Sequence, residues 1–112
     1  MTRKVSLDAT AREQLDAARR SAAHRAYETV VGGHEYVMRQ TVVALAEGAT
    51  LAEHENPGEA TIYVISGRVE LTAGADTWQA RTGDLIEIPD ARHSLRAVED
   101  SAILLTAVPR SR

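Results

Sequence analysis

Between Gly48 and Gly67 the chain reads GATLAEHENPGEATIYVISG, and no other stretch constrains the fold as strongly. It holds a glycine, a histidine six residues on, a tight Pro57-Gly58 turn, an apolar alternating run and a closing glycine. The same rhythm continues downstream. Val69 and Leu71 alternate with Arg68, Glu70 and Thr72 before an Ala73-Gly74-Ala75-Asp76 turn, and Thr77 to Ala80 forms a short run carrying Trp78. Leu85 to Pro89 follows a Thr82-Gly83-Asp84 turn, and Glu99-Asp100 separates Ser94–Val98 from Ser101–Val108. Short strands and turns at such regular spacing predict an all-β sandwich or barrel.

The N-terminal part reads differently. Leu7, Ala11, Leu15 and Ala18 recur at helical spacing, so Ser6 to Arg20 is expected as a helix with one narrow apolar stripe. Ser6 can cap it, and Thr10-x-x-Glu13 also fits a capping box, leaving two possible starts. A stripe made mostly of alanine is too thin to be a core by itself, so the helix should lie on the barrel or on a neighbouring subunit. Tyr27 to Val31 reads as a strand, Gly32-Gly33 as a hairpin turn and His34 to Glu47 as a long strand. Its charged residues fall on odd positions. Alternation therefore predicts that Tyr36, Met38, Gln40, Val42, Ala44 and Ala46 point inward, with Gln40 the lone polar member.

The 112 residues allow one domain with one core, divided here into a helical segment over 1–25 and a barrel over 26–112. Apolar residues make up 44% of the chain, which argues against disorder, and with no Phe the core must be aliphatic. The net charge is −3 and the basic residues are scattered, so nothing resembles a nucleic-acid-binding stripe. The absence of cysteine excludes disulfides and thiolate metal sites. No apolar run approaches the ~20 residues that span a bilayer, and the N-terminus lacks an apolar signal segment, so a cytoplasmic protein is expected. Twelve arginines against one lysine point to a GC-rich bacterial genome.

Two spaced motifs carry a family resemblance. Gly48-x5-His54-x-Asn56 with Gly67, followed by Gly83-x5-Pro89 and His93, resembles the paired motifs of the cupin superfamily. The likeness covers about Val37 to Val108. It implies a double-stranded β-helix, the jelly-roll barrel. In metal-binding cupins, two motif-one histidines, a glutamate and a motif-two histidine converge on one divalent ion such as iron, manganese, nickel or zinc. Carried over by position, His54 is the first ligand and His93 the last. Asn56 stands where the second histidine belongs, and Ala60 stands at the glutamate. Glu59 is the nearest replacement carboxylate. Alternation turns it outward, and only a bulge beside the Pro57-Gly58 turn would bring it in.

These residues lead to three functional expectations. The first is a small organic ligand held in the barrel by His54, Asn56, His93 and Gln40, against Met38, Ile62 and Val64, without a tightly held metal. The second is a metal-dependent enzyme of the dioxygenase, isomerase or decarboxylase type that uses His54 and His93 as ligands. The third is a structural or sensory module whose barrel is filled by side chains. His24 and His34 read as solvated, and Asp90, Arg92 and Arg96 as a barrel rim. Cupins that pair through sheet edges or exchanged N-terminal segments imply a homodimer, with the helix and the long strand at its interface.

Overall fold

The computed structural model describes residues 3–54 and 58–109, with the backbone alone at Glu53 and His54. Helix α1 (Leu7–Arg20) precedes nine strands. These are β1 (Arg25–Val31), β2 (Arg39–Leu45), β3 (Thr50–His54), β4 (Gly58–Ser66), β5 (Arg68–Ala73), β6 (Asp76–Arg81), β7 (Leu85–Glu87), β8 (His93–Ala97) and β9 (Ser101–Pro109). Every strand pair is antiparallel. Five strands in the order β1-β2-β9-β4-β7 form one sheet, and four in the order β3-β8-β5-β6 form the other. The inner faces of the two sheets enclose an aliphatic core that includes Val43, Leu45, Ile62, Val64, Leu71 and Ile103. This is the jelly-roll barrel that the motifs imply, preceded by the helix that the spacing of Leu7, Ala11, Leu15 and Ala18 predicts.

The helix starts where Ser6 caps it. The Ser6 hydroxyl accepts from the Ala9 amide at 3.2 Å, and Thr10 donates back to the Ser6 carbonyl. Thr10 is thus a buried residue of the first turn rather than a second cap. The stripe residues Ala11 and Ala18 are buried where α1 packs on the outer face of the five-stranded sheet, over β1 and β2.

That packing corrects the reading of the second strand. The expected run from His34 to Glu47 is strand only over Arg39–Leu45, and residues 32–38 form a loop. A register shift in β1 between Thr29 and Val31 leaves Val31 opposite Gln40, and the paired ladder stops one residue later. The face assignment is also reversed. Val43 and Leu45, the odd positions, enter the barrel core, while Val42 and Ala44 are buried without belonging to it. The even face points outward and is covered by α1. Because Val42-Val43-Ala44-Leu45 is apolar throughout, both faces of this strand find cover, and its charges say nothing about which is inner.

The two sheets are tied together at one corner. Gly67, between β4 and β5, has φ +99°, and its amide donates to the Thr82 hydroxyl at 3.0 Å. Opposite it, the fully buried Ser101 hydroxyl accepts from the Arg68 amide and lies 3.0 Å from the Arg68 carbonyl and 2.7 Å from that of Glu99. The closing glycine of the first motif is therefore a packing requirement of this corner.

Asp100 connects the helix to the same turn. Its carboxylate accepts from the Glu47 amide at 2.8 Å and from Arg19 of α1 at 2.9 Å. The Glu47 hydrogen bond first, and the Arg19 bond second, hold this carboxyl below its ordinary value of 3.8. A depressed carboxylate stabilises the fold above its unfolded pKa, and that contribution is lost as pH falls through the lower folded value. An Asp100→Asn variant should accordingly lose about 1 kcal/mol at neutral pH, solvent screening keeping the effect small. As pH falls below about 4 the gap between variant and parent should narrow, closing only below the depressed folded value, which urea denaturation at several pH values would show. An unchanged gap at low pH contradicts the assignment.

Candidate functional site

His93, Ala60 and Glu59, with the backbone of His54, lie at one end of the barrel, where β3 ends, β4 begins and β8 begins. His93 is the first residue of β8 and is 3% exposed. Its Cα partner across the ladder is His54, the last residue of β3. The two motif positions therefore meet across one ladder, past a register shift between Leu51 and His54. The side chain of His54, and all of Asn56, lie outside the described residues.

His93 is oriented by its own turn. Its Nδ1 lies 2.9 Å from the Ala91 carbonyl oxygen. A carbonyl can only accept, so Nδ1 carries the proton and donates. In the neutral ring this leaves Nε2 with the lone pair, the arrangement by which a histidine is prepared to accept a hydrogen bond or ligate a cation. Ala91 is held in place by a bond from its amide to the Pro89 carbonyl at 2.9 Å. The Pro89–Arg92 turn thereby sets the ring's tautomer, a function for the second motif that spacing alone did not reveal.

On the facing sheet Ala60 is partly buried and packs against the core, so the position that carries a carboxylate in metal-binding relatives holds a methyl group. Glu59 is exposed and pairs with Val108 on the outer side, and no bulge turns it inward. Ile62 and Val64 lie in the barrel core as expected from alternation.

Gln40 and Met38 do not. Gln40 shares the outer face with Val42, and its side-chain amide donates to the Thr106 hydroxyl at 3.0 Å. Met38 lies in the loop before β2 and is 37% exposed. The Gln40 correction follows from the reversed face of β2, and the Met38 correction from the strand starting only at Arg39. The same reversal supplies a residue that sequence reasoning missed. Arg39 takes the inward phase, in register with Ala107, which in turn pairs with Ala60. A signal was available: the apolar stripe of α1 needs a sheet face to cover, and that face had to be an outer one.

Among the described residues no group of three or more His, Asp or Glu side chains is placed to hold a metal ion. His93 has the chemistry of a ligand. With a methyl at Ala60 and Glu59 facing away, the described donor set does not fit a tightly held divalent cation, which wants at least one more imidazole or carboxylate.

Residues 41–109 match the cupin domain family, and the chain belongs to that family. Among solved structures it is similar to a conserved protein of unknown function from Streptococcus pyogenes. That likeness has 23% identity and a TM-score of 0.75, covering 100% of this chain and 91% of the other. It is also similar to a protein of unknown function from Rhizobium leguminosarum, with 19% identity, TM-score 0.73, and 98% and 99% of the two chains covered. An RmlC-like cupin from Desulfovibrio desulfuricans is 26% identical with TM-score 0.66, over 76% of this chain and 82% of that one. No curated protein matches the chain. Among the described residues no helix is long and apolar enough to cross a membrane.

Proposed function

We propose that this cupin binds a small organic ligand at the open end of its barrel, without a tightly held metal. The observation that carries the reading is the pairing of a buried, tautomer-fixed His93 with a methyl group at Ala60. One polar group that can accept a hydrogen bond, set above an aliphatic core, suits a small and mostly apolar molecule with one or two polar groups. His54, the ladder partner of His93, is the proposed second polar group of the site, and Asn56, two residues on in the sequence, is proposed with it. Gln40 has no part in it.

The competing reading is a metal-dependent enzyme using His54 and His93, and the Nδ1 bond to Ala91 is what favours it. Elemental analysis separates the two. The ligand-binding reading expects far less than one metal per chain in purified protein, unchanged in His93→Ala. Full occupancy that is lost in His54→Ala or His93→Ala would overturn it.

The proposed assembly is a homodimer. Strand β2 lies between β1 and β9 and has no free edge, so it is not the pairing element that the sequence suggested. The outer face beyond α1 is the better surface, where Tyr63 and Leu85 pair across β4 and β7 and are 39% and 66% exposed. Light scattering should give twice the 12.1 kDa chain mass. A monomeric mass contradicts the proposal.

A further inference from the structure

A cavity of about 280 Å³ lies over the ends of β2, β9 and β4, beneath the 32–38 loop. Tyr36, Val37, Met38 and Val108 give it apolar walls. Two charged residues also line it, Arg39 and Glu59. Both are exposed, and Arg39 makes no ion pair among the described residues, with Glu59 or with any other carboxylate. A guanidinium offers five fixed donors and no acceptor, so its natural complement is a planar anion.

We propose that this cavity binds a small carboxylate with a short apolar body, its carboxylate on Arg39 and its body on Tyr36, Val37, Met38 and Val108. The inference goes beyond the ligand-binding reading above, because His93, Ala60, Ile62 and Val64 do not line this cavity. Arg39 stands in the layer of Ala107 and Ala60, where metal-binding relatives carry a negative group and this chain carries none. The volume is at the lower limit of small-molecule pockets, which restricts the body to a few carbons. Glu59, on the outer side of the cavity, either repels the ligand weakly or accepts from an amine that the ligand carries beside its carboxylate.

Titration of ¹⁵N-labelled protein with isovalerate, leucine and isoamyl alcohol tests this. Isovalerate should shift the amides of Val37, Met38, Ala107 and Val108, and isoamyl alcohol, its neutral counterpart, should bind about tenfold more weakly or worse. Arg39→Met should weaken isovalerate by about tenfold or more and leave the alcohol unchanged. Because Arg39 is exposed, the variant should keep its fold, which unshifted amides of the core residues Val64 and Leu71 would verify. Glu59→Gln assigns the ligand type: selective weakening of leucine indicates an amino acid, and strengthening of isovalerate without that loss indicates a plain carboxylate. Equal binding of isovalerate and the alcohol overturns the inference while sustaining the broader ligand-binding reading. So does an Arg39→Met variant that binds isovalerate normally. If none of the three compounds shifts these amides at tens of millimolar, this inference fails, and His93-dependent binding of other compounds then decides the broader reading separately.

Discussion

Replacing Gly67 with alanine should cost about 3–5 kcal/mol, enough to unfold much of the protein near physiological temperature. Two effects add at this position. The backbone sits at φ +99°, a region that residues with a side chain rarely adopt. An added Cβ would also meet the Ser101 hydroxyl and the Asp100 carbonyl well inside van der Waals contact, and would lie 2.7 Å from the Ser101 Cα. Neither neighbour can withdraw easily, because Ser101 is fully buried and bonded to the backbone of Arg68 and Glu99. Gly83 provides the control. Its φ is +92°, yet a Cβ there would find nothing within 4 Å, so Gly83→Ala should show the backbone strain alone, about 1–2 kcal/mol. Urea denaturation of the two variants measures the difference. Equal losses would mean that the crowding at Ser101 is relieved by movement.

Ala44→Leu should destabilise the protein by about 2–3 kcal/mol through overpacking between the sheet and the helix. Ala44 is fully buried on the outward face of β2, Ala102 opposite it is also fully buried, and Ala18 of α1 is likewise at 0% exposure. Alanine on both sides lets the helix approach the sheet closely, so a larger side chain must push it away. The denaturation midpoint should fall without a change in slope, since the surface exposed on unfolding is nearly the same. A neutral Ala44→Leu would show that the helix is loosely seated. It would also weaken the case that α1, rather than the barrel interior, receives this face.

The barrel was legible because its signals are local. Gly48, Gly67, Gly74 and Gly83 all take positive φ, each beside a turn between strands, and the alternation of β5 survives unchanged with Val69 and Leu71 in the core. The helix was legible through Ser6 and the alanine stripe. Part of the candidate site was legible too, since the two motif histidine positions end as ladder partners of β3 and β8. The errors share one origin. Gln40 was placed inside because alternation was anchored on charge, and a strand covered on both faces gives alternation nothing to anchor to; Met38 was placed inside because the same alternation was carried into a loop.

By itself the sequence determined the order of helix and strands, the positions that demand glycine and the loss of a carboxylate at Ala60. Each depends on a residue and its immediate neighbours. The tertiary structure decided the phase of β2, and with it the exclusion of Gln40 and the placement of Arg39 at the barrel mouth. It also decided the tautomer of His93, through a carbonyl in the turn before it. The phase of a strand buried on both sides is set by which face the helix covers and which faces the opposite sheet, and that choice exists only once the chain has folded around it.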